Sequence, residues 1–185
     1  MCPKGRGQVN LAGRAQRRIH LRMIGGHLAK SKIRILLVDD FYPFRRYLSS
    51  TLRKRADVHV IGEAADGLDA VKQATQLFPD LVLLDIGLPK QNGIDAAREI
   101  RTLCPDAKIV FVSQESSTEL VQEALALGAK GYLVKSAVAM KLMTALDVVI
   151  GGECFVSGEC GEFHPGKSAG KPRLRILERT EVLRF

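Results

Sequence analysis

Asp85 closes a short apolar run, Leu81 to Leu84, and the acidic pair Asp39-Asp40 closes another, Ile33 to Val38. Lys135 stands just past a third, Tyr132 to Val134. If these runs are parallel neighbours in one sheet, their carboxyl ends open on the same edge, where open α/β sheets carry their chemistry. Crowded carboxylates repel unless a cation intervenes, and a hard divalent ion such as Mg²⁺, which takes oxygen ligands, suits them. A lysine opposite three acids then completes a place for a phosphoryl group.

The elements that must position these groups follow from alternating periods. Ile33 to Val38 is a continuous apolar strand, and Pro43 suits the first turn of a helix with Phe44, Leu48 and Leu52 on one face. Val58 to Ala64 reads as the next strand. Gly67 to Leu77 reads as a helix with Leu68, Val71, Ala74 and Phe78 inward, ended by Pro79. After the Asp85 strand comes a loop with Pro89 and the turn signal Asn92-Gly93, then a helix from Ile94 to Leu103. Lys108 to Ser113 is a strand, Ser117 to Leu127 a helix stopped at Gly128, Lys130 to Val134 a strand, and Val138 to Ile150 a helix stopped at Gly151-Gly152. Five such β-α units with short links predict an α/β fold, a parallel sheet covered on both faces. The flavodoxin-like doubly wound order 2-1-3-4-5 is the simplest arrangement, and it brings Asp39, Asp40, Asp85, Ser113 and Lys135 to one edge.

Charge is placed unevenly. Residues 1 to 32 hold eight Lys and Arg and no acid, so this arm carries the whole net charge of +8; the other 20 basic residues match the 20 Asp and Glu. Cys2, Cys104, Cys154 and Cys160 form no CxxC pair and no secretory leader is evident, which reads as reduced thiols in a cytoplasm. Cys154, Cys160 and His164 have poor spacing for zinc and lack a fourth ligand. No apolar run approaches a membrane span.

The ordered set VDD (Val38 to Asp40), LLDIGLPKQNG (Leu83 to Gly93), FVS (Phe111 to Ser113) and GYLVKS (Gly131 to Ser136) resembles the receiver domain of bacterial two-component response regulators. Specifically, it resembles the branch that usually carries a LuxR-type, NarL-like helix-turn-helix. The resemblance covers 33 to about 155. It implies that Asp85 is the phosphoacceptor, taking a phosphoryl group from a sensor histidine kinase. Asp40 and Asp85 would hold Mg²⁺ directly with the backbone carbonyl of Gly87, and Asp39 through water. Lys135 would pair with a phosphoryl oxygen, Ser113 would supply the hydroxyl that swings to bond it, and Tyr132 would be the aromatic that responds. The family is a phosphoacceptor with self-phosphorylation and self-dephosphorylation chemistry rather than an enzyme with a separate substrate. Gln114 is placed to tune hydrolysis.

Each residue has a plainer rival: a capping role for Asp39 and Asp40 near the helix start at Pro43, a cap of the next helix for Ser113, core packing for Tyr132. The loop Phe41-Tyr42-Pro43-Phe44 is more aromatic than the family's usual polar stretch. A phosphatase of haloacid dehalogenase type would want an Asp two residues after the nucleophile, where Gly87 stands.

The ends divide as a basic, disordered arm (1–32), a linker (156–173), and a segment (174–185) whose Glu178 to Leu183 resembles the opening helix of a LuxR-type DNA-binding domain. Translation from Met23 is an alternative start. Two function classes follow. In the first, a receiver acts on a downstream protein, or as a homodimer, through the face of the fourth helix, fifth strand and fifth helix. DNA binding is not expected there without a complete helix-turn-helix. In the second, a truncated transcription regulator retains weak DNA binding through its basic termini, a contact that salt weakens.

Overall fold

The computed structural model describes residues 31 to 157. The readings made for the basic arm, Met23, Cys2, Cys160, His164, the greater part of the linker and the segment 174–185 fall outside the described residues.

Within them the chain alternates: β1 (Ile33–Val38), α1 (Tyr42–Leu52), β2 (Val58–Ala64), α2 (Gly67–Leu77), β3 (Leu81–Leu84), α3 (Gly93–Leu103), β4 (Lys108–Ser113), α4 (Thr118–Ala126), β5 (Gly131–Val134), α5 (Val138–Ile150) and β6 (Phe155–Val156). A 3₁₀ turn, Lys135–Ala137, joins β5 to α5. All pairings are parallel and the order is β2-β1-β3-β4-β5-β6, the expected doubly wound sheet with one strand added.

Strict alternation along each strand divides the core. Leu36, Val38, Val82, Leu84, Ile109, Phe111 and Tyr132 face one way and meet Ala70 and Ala74 of α2, Ile94 and Ile100 of α3, and Val121 and Ala124 of α4. Ile35, Leu37, Leu81, Leu83, Val110, Val112 and Leu133 face the other way, onto Leu48 and Leu52 of α1 and Leu142, Leu146 and Val149 of α5. Burial on both faces is why these strands read as unbroken apolar runs.

Local signals start and stop the helices. Pro43 lies in the first turn of α1. The Asp66 carboxylate accepts from Asp69 N at 2.8 Å and the Asn92 side chain from Asp95 N at 2.9 Å, capping α2 and α3 for about 1 kcal/mol each. Asn92, expected in a turn, therefore serves as a cap. At the end of α5, Gly152 adopts φ +94°, a conformation a side chain would strain.

Three expectations need correction. Leu68 is 56% exposed, because the buried stripe of α2 runs through Gly67, Ala70 and Ala74 and leaves residue 68 a step off it. Phe78 caps α2 in the left-handed region at φ 48°, which turns its ring outward to 45% exposure. Val156, placed at the start of a linker, instead pairs with Tyr132 in β6. The next residue, Ser157, is buried and its Oγ accepts from Val134 N at 2.7 Å, so the compact unit passes residue 155.

Candidate functional site

Register gathers the acidic and basic groups. Val38 lies opposite Leu84, Leu84 opposite Phe111, and Ser113 opposite Val134. The residues that follow these partners, Asp39, Asp85 and Lys135, emerge together at the carboxyl edge. The ladder continues one step into the site: Asp39 N donates to Ala64 O (3.1 Å) and Asp85 N to Val38 O (2.9 Å), which fixes both backbones.

Ligand oxygens of Asp39, Asp40 and Asp85 lie within 4.8 Å of one another. Asp39 and Asp85 are buried and Asp40 is exposed. Lys135 Nζ sits 2.8 Å from Asp85 Oδ2 and 2.8 Å from Asp39 Oδ2. Only the contact to Asp85 has hydrogen-bond geometry, so Asp39 Oδ2 is buried beside a charge without a directed donor. Burial pushes the Asp39 carboxyl above its usual range; the Lys135 ammonium beside it opposes this, and the Asp85 charge adds to it. For Lys135, burial works against the charge, but the two carboxylates of Asp39 and Asp85 together outweigh it and raise the ammonium's pKa. Three carboxylates against one ammonium, with an orphaned buried oxygen among them, form an all-oxygen set that fits a hard divalent cation such as Mg²⁺.

The second oxygens are held locally. Asp39 Oδ1 accepts from Phe41 N at 2.9 Å, while the residue before α1 is Phe41, which caps nothing with its side chain; Asp39 therefore makes a turn rather than capping the helix. Asp85 Oδ1 accepts a long bond, 3.4 Å, from Gly87 N. The Gly87 carbonyl follows in the same loop.

Ser113 and Tyr132 meet at one peptide. Ser113 Oγ accepts from Glu115 N (3.1 Å) and Tyr132 Oη donates to Glu115 O (2.9 Å). Ser117, not Ser113, precedes α4. Tyr132 is fully buried, so the core-packing role is real, and its hydroxyl also grips the loop above β4. Gln114 is exposed beside them.

Sequence reasoning missed the supports around these groups. A Cβ on Gly93 would stand 1.9 Å from Asp85 O and one on Gly67 would stand 2.1 Å from Gln91 O, so both glycines permit close approach of backbones around the loop 86–92. Lys90 Nζ reaches Asp66 Oδ2 at 2.6 Å and straps that loop to the cap of α2. Arg45 donates to Asp39 O and to Glu63 Oε2, tying α1 to the acidic pair. The Phe44 ring lies 5.0 Å from Lys135 Nζ. The glycine of Asn92-Gly93 was a visible signal; Lys90–Asp66, Arg45–Glu63 and Phe44–Lys135 join residues distant in sequence and had none.

The model of the response regulator receiver domain matches residues 35–147. The chain is 36% identical over 124 residues to the uncharacterized transcriptional regulatory protein YxjL of Bacillus subtilis, a match covering 67% of this chain and 57% of that protein. It thus spans little more than half the length of that relative. It is 39% identical over 116 residues to the chemotaxis protein CheY of Thermotoga maritima, covering 63% of this chain and 96% of CheY. A crystal structure of a LuxR-family two-component response regulator from an Aurantimonas species is 31% identical with a TM-score of 0.67, covering 70% of this chain and 93% of that one.

Proposed function

The chain belongs to the response regulator receiver domain family, and from that premise we propose that Asp85 accepts a phosphoryl group from a sensor histidine kinase and so switches a protein-interaction surface. The observation that carries this reading is the convergence of Asp39, Asp40 and Asp85 within 4.8 Å under a single lysine. In the transfer, an Asp85 carboxylate oxygen forms a bond to phosphorus as the donor's P–N bond breaks. The imidazole leaves with the electron pair and gains a proton, and Asp85 becomes an acyl phosphate. Lys135, already on Asp85, pairs with a phosphoryl oxygen. Its raised pKa keeps it charged for that task.

Asp40, Asp85 and the Gly87 carbonyl would hold Mg²⁺ directly and Asp39 through water; when bound, the ion supplies positive charge against the phosphoryl oxygens. Ser113 Oγ leaves Glu115 N to bond the new phosphoryl group. Because Tyr132 Oη holds the carbonyl of that same residue, the displaced loop carries strain to the tyrosine beneath it. The result is a population shift between two packings of the face built from α4, β5 and α5, which docks a downstream protein or a second copy. Regulation of transcription, suggested by relatives of greater length, belongs to the same reading. So does a cytoplasmic setting; among the described residues no helix is long and apolar enough to cross a membrane.

Incubating the full chain with acetyl phosphate and Mg²⁺ and weighing the intact protein tests this. Wild type is expected to gain one phosphate and Asp85→Asn none. Equal phosphate on the variant would move the acceptor elsewhere.

A further inference from the structure

The aromatic loop after the acidic pair has a use that phosphoryl transfer to Asp85 leaves open. Phe41 and Tyr42 project into solvent, 61% and 58% exposed, whereas Phe44 packs against the core formed with α1 and α5. Its ring centroid lies 5.0 Å from Lys135 Nζ. That is within the roughly 6 Å over which an ammonium is drawn to an aromatic face. Tyr47, one turn along α1, stacks on Phe44 with centroids 6.2 Å apart and planes inclined by 27°, which fixes the ring's attitude. The lysine side chain is only 14% exposed, so water competes weakly for its charge.

The ammonium therefore has three neighbours, and they differ in permanence. Asp85 changes from a carboxylate to a mixed anhydride when it is phosphorylated, and Asp39 shares its charge with any cation the acidic cluster holds. The ring's quadrupole is indifferent to both events. An apolar side chain at 44 could fill the same space against Leu48 but would offer no attraction to the ammonium.

We propose that Phe44 is a positioning residue for phosphoryl transfer: its ring face holds the Lys135 ammonium at the mouth of the acidic centre, aimed at the arriving phosphoryl oxygens. This rests on Asp85 as the acceptor. It assigns this aromatic to the lysine rather than to core packing alone.

The test compares full-length wild type with Phe44→Leu and Phe44→Tyr. With Lys labelled by ¹³C, the ε-methylene protons of Lys135, assigned through Lys135→Arg, should lie upfield from the ring current in wild type and Phe44→Tyr. They should return to ordinary positions in Phe44→Leu. The second-order rate constant for phosphorylation by acetyl phosphate in saturating Mg²⁺ should fall about 3- to 10-fold in Phe44→Leu and stay within about 2-fold in Phe44→Tyr. A Phe44→Leu variant with unchanged methylene shifts and rate overturns the proposal. So does a Phe44→Tyr variant as impaired as Phe44→Leu, since that pattern marks packing alone. Should wild type take up no phosphate, the Asp85 reading falls, while the methylene shifts still decide whether Phe44 holds the lysine.

Discussion

The two edges of the same sheet treat charge in opposite ways. At the amino edge several charged groups have partners of their own. Asp80 Oδ2 accepts from Arg34 N at 2.7 Å, and the Arg34 guanidinium donates to Phe78 O at 3.0 Å. Arg55 joins Asp57 and Asp147, both at 2.6 Å, and its pKa rises through the Asp57 hydrogen bond first. Lys108 Nζ donates to Val149 O and Ile150 O at the end of α5, where the helix dipole is negative. At the carboxyl edge three acids crowd together, and Lys135 pairs with two of them, Asp39 and Asp85. The amino edge is built to hold the fold; the carboxyl edge leaves negative charge unspent, and that surplus marks where a cation and a phosphoryl group belong.

Removing the lysine that faces the acidic cluster should test this contrast most severely. Lys135→Met leaves the buried Asp39 and Asp85 facing each other beside the exposed Asp40. In Mg²⁺-free buffer the expected loss of stability is about 2 kcal/mol by urea unfolding, below the cost of an enclosed pair because Asp40 opens the cluster to water. Added Mg²⁺ should restore much of it by binding the folded form. A variant as stable as wild type without Mg²⁺ would mean that the acids do not strain this edge.

A pH series separates strained from satisfied acids. Asp39 has a raised folded pKa, with burial the largest cause. The folded protein therefore keeps this proton after the unfolded chain has released it, so the Asp39 contribution to stability declines as pH climbs from about 3.8 through the folded pKa, and the cost persists above it. Asp66, at the same rim after β2, has its own Lys90 and a lowered pKa, caused first by the Lys90 hydrogen bond and then by Asp69 N. Its contribution is present above about 3.8 and disappears as pH falls through the folded pKa. Urea midpoints of Asp39→Asn and Asp66→Asn in Mg²⁺-free buffer should thus diverge from wild type with opposite pH trends. Parallel trends would erase the distinction.

The smallest effect is expected at the amino edge. Arg55→Met removes two ion pairs whose carboxylates are half exposed or more, so stability should drop by no more than about 1 kcal/mol in a thermal melt. Phosphorylation by acetyl phosphate should be unchanged. A slower reaction would show that the two edges are coupled.

Most of the fold was legible because doubly buried strands leave a plain record: the runs ILLV, LVLL and IVFV are apolar throughout, and each is followed by a polar residue. Helix faces left a weaker record. Leu68 is apolar and one position from the buried stripe, which periodicity alone does not resolve. β6 left no pattern, since two residues are too few to alternate; its place depends on Phe155 N reaching Lys130 O and Ser157 N reaching Tyr132 O.

Composition and spacing by themselves determined that acids end two strands, that a lysine and a serine end two more, and that a parallel sheet would collect them at one edge. Tertiary structure alone decided how they meet: Lys135 between Asp39 and Asp85, Phe44 over the ammonium, Ser113 and Tyr132 on opposite ends of the Glu115 peptide. The reason is physical. Strand ends follow from short-range burial patterns, whereas these contacts depend on rotamers and loop paths that become fixed only when distant segments exclude water from one another.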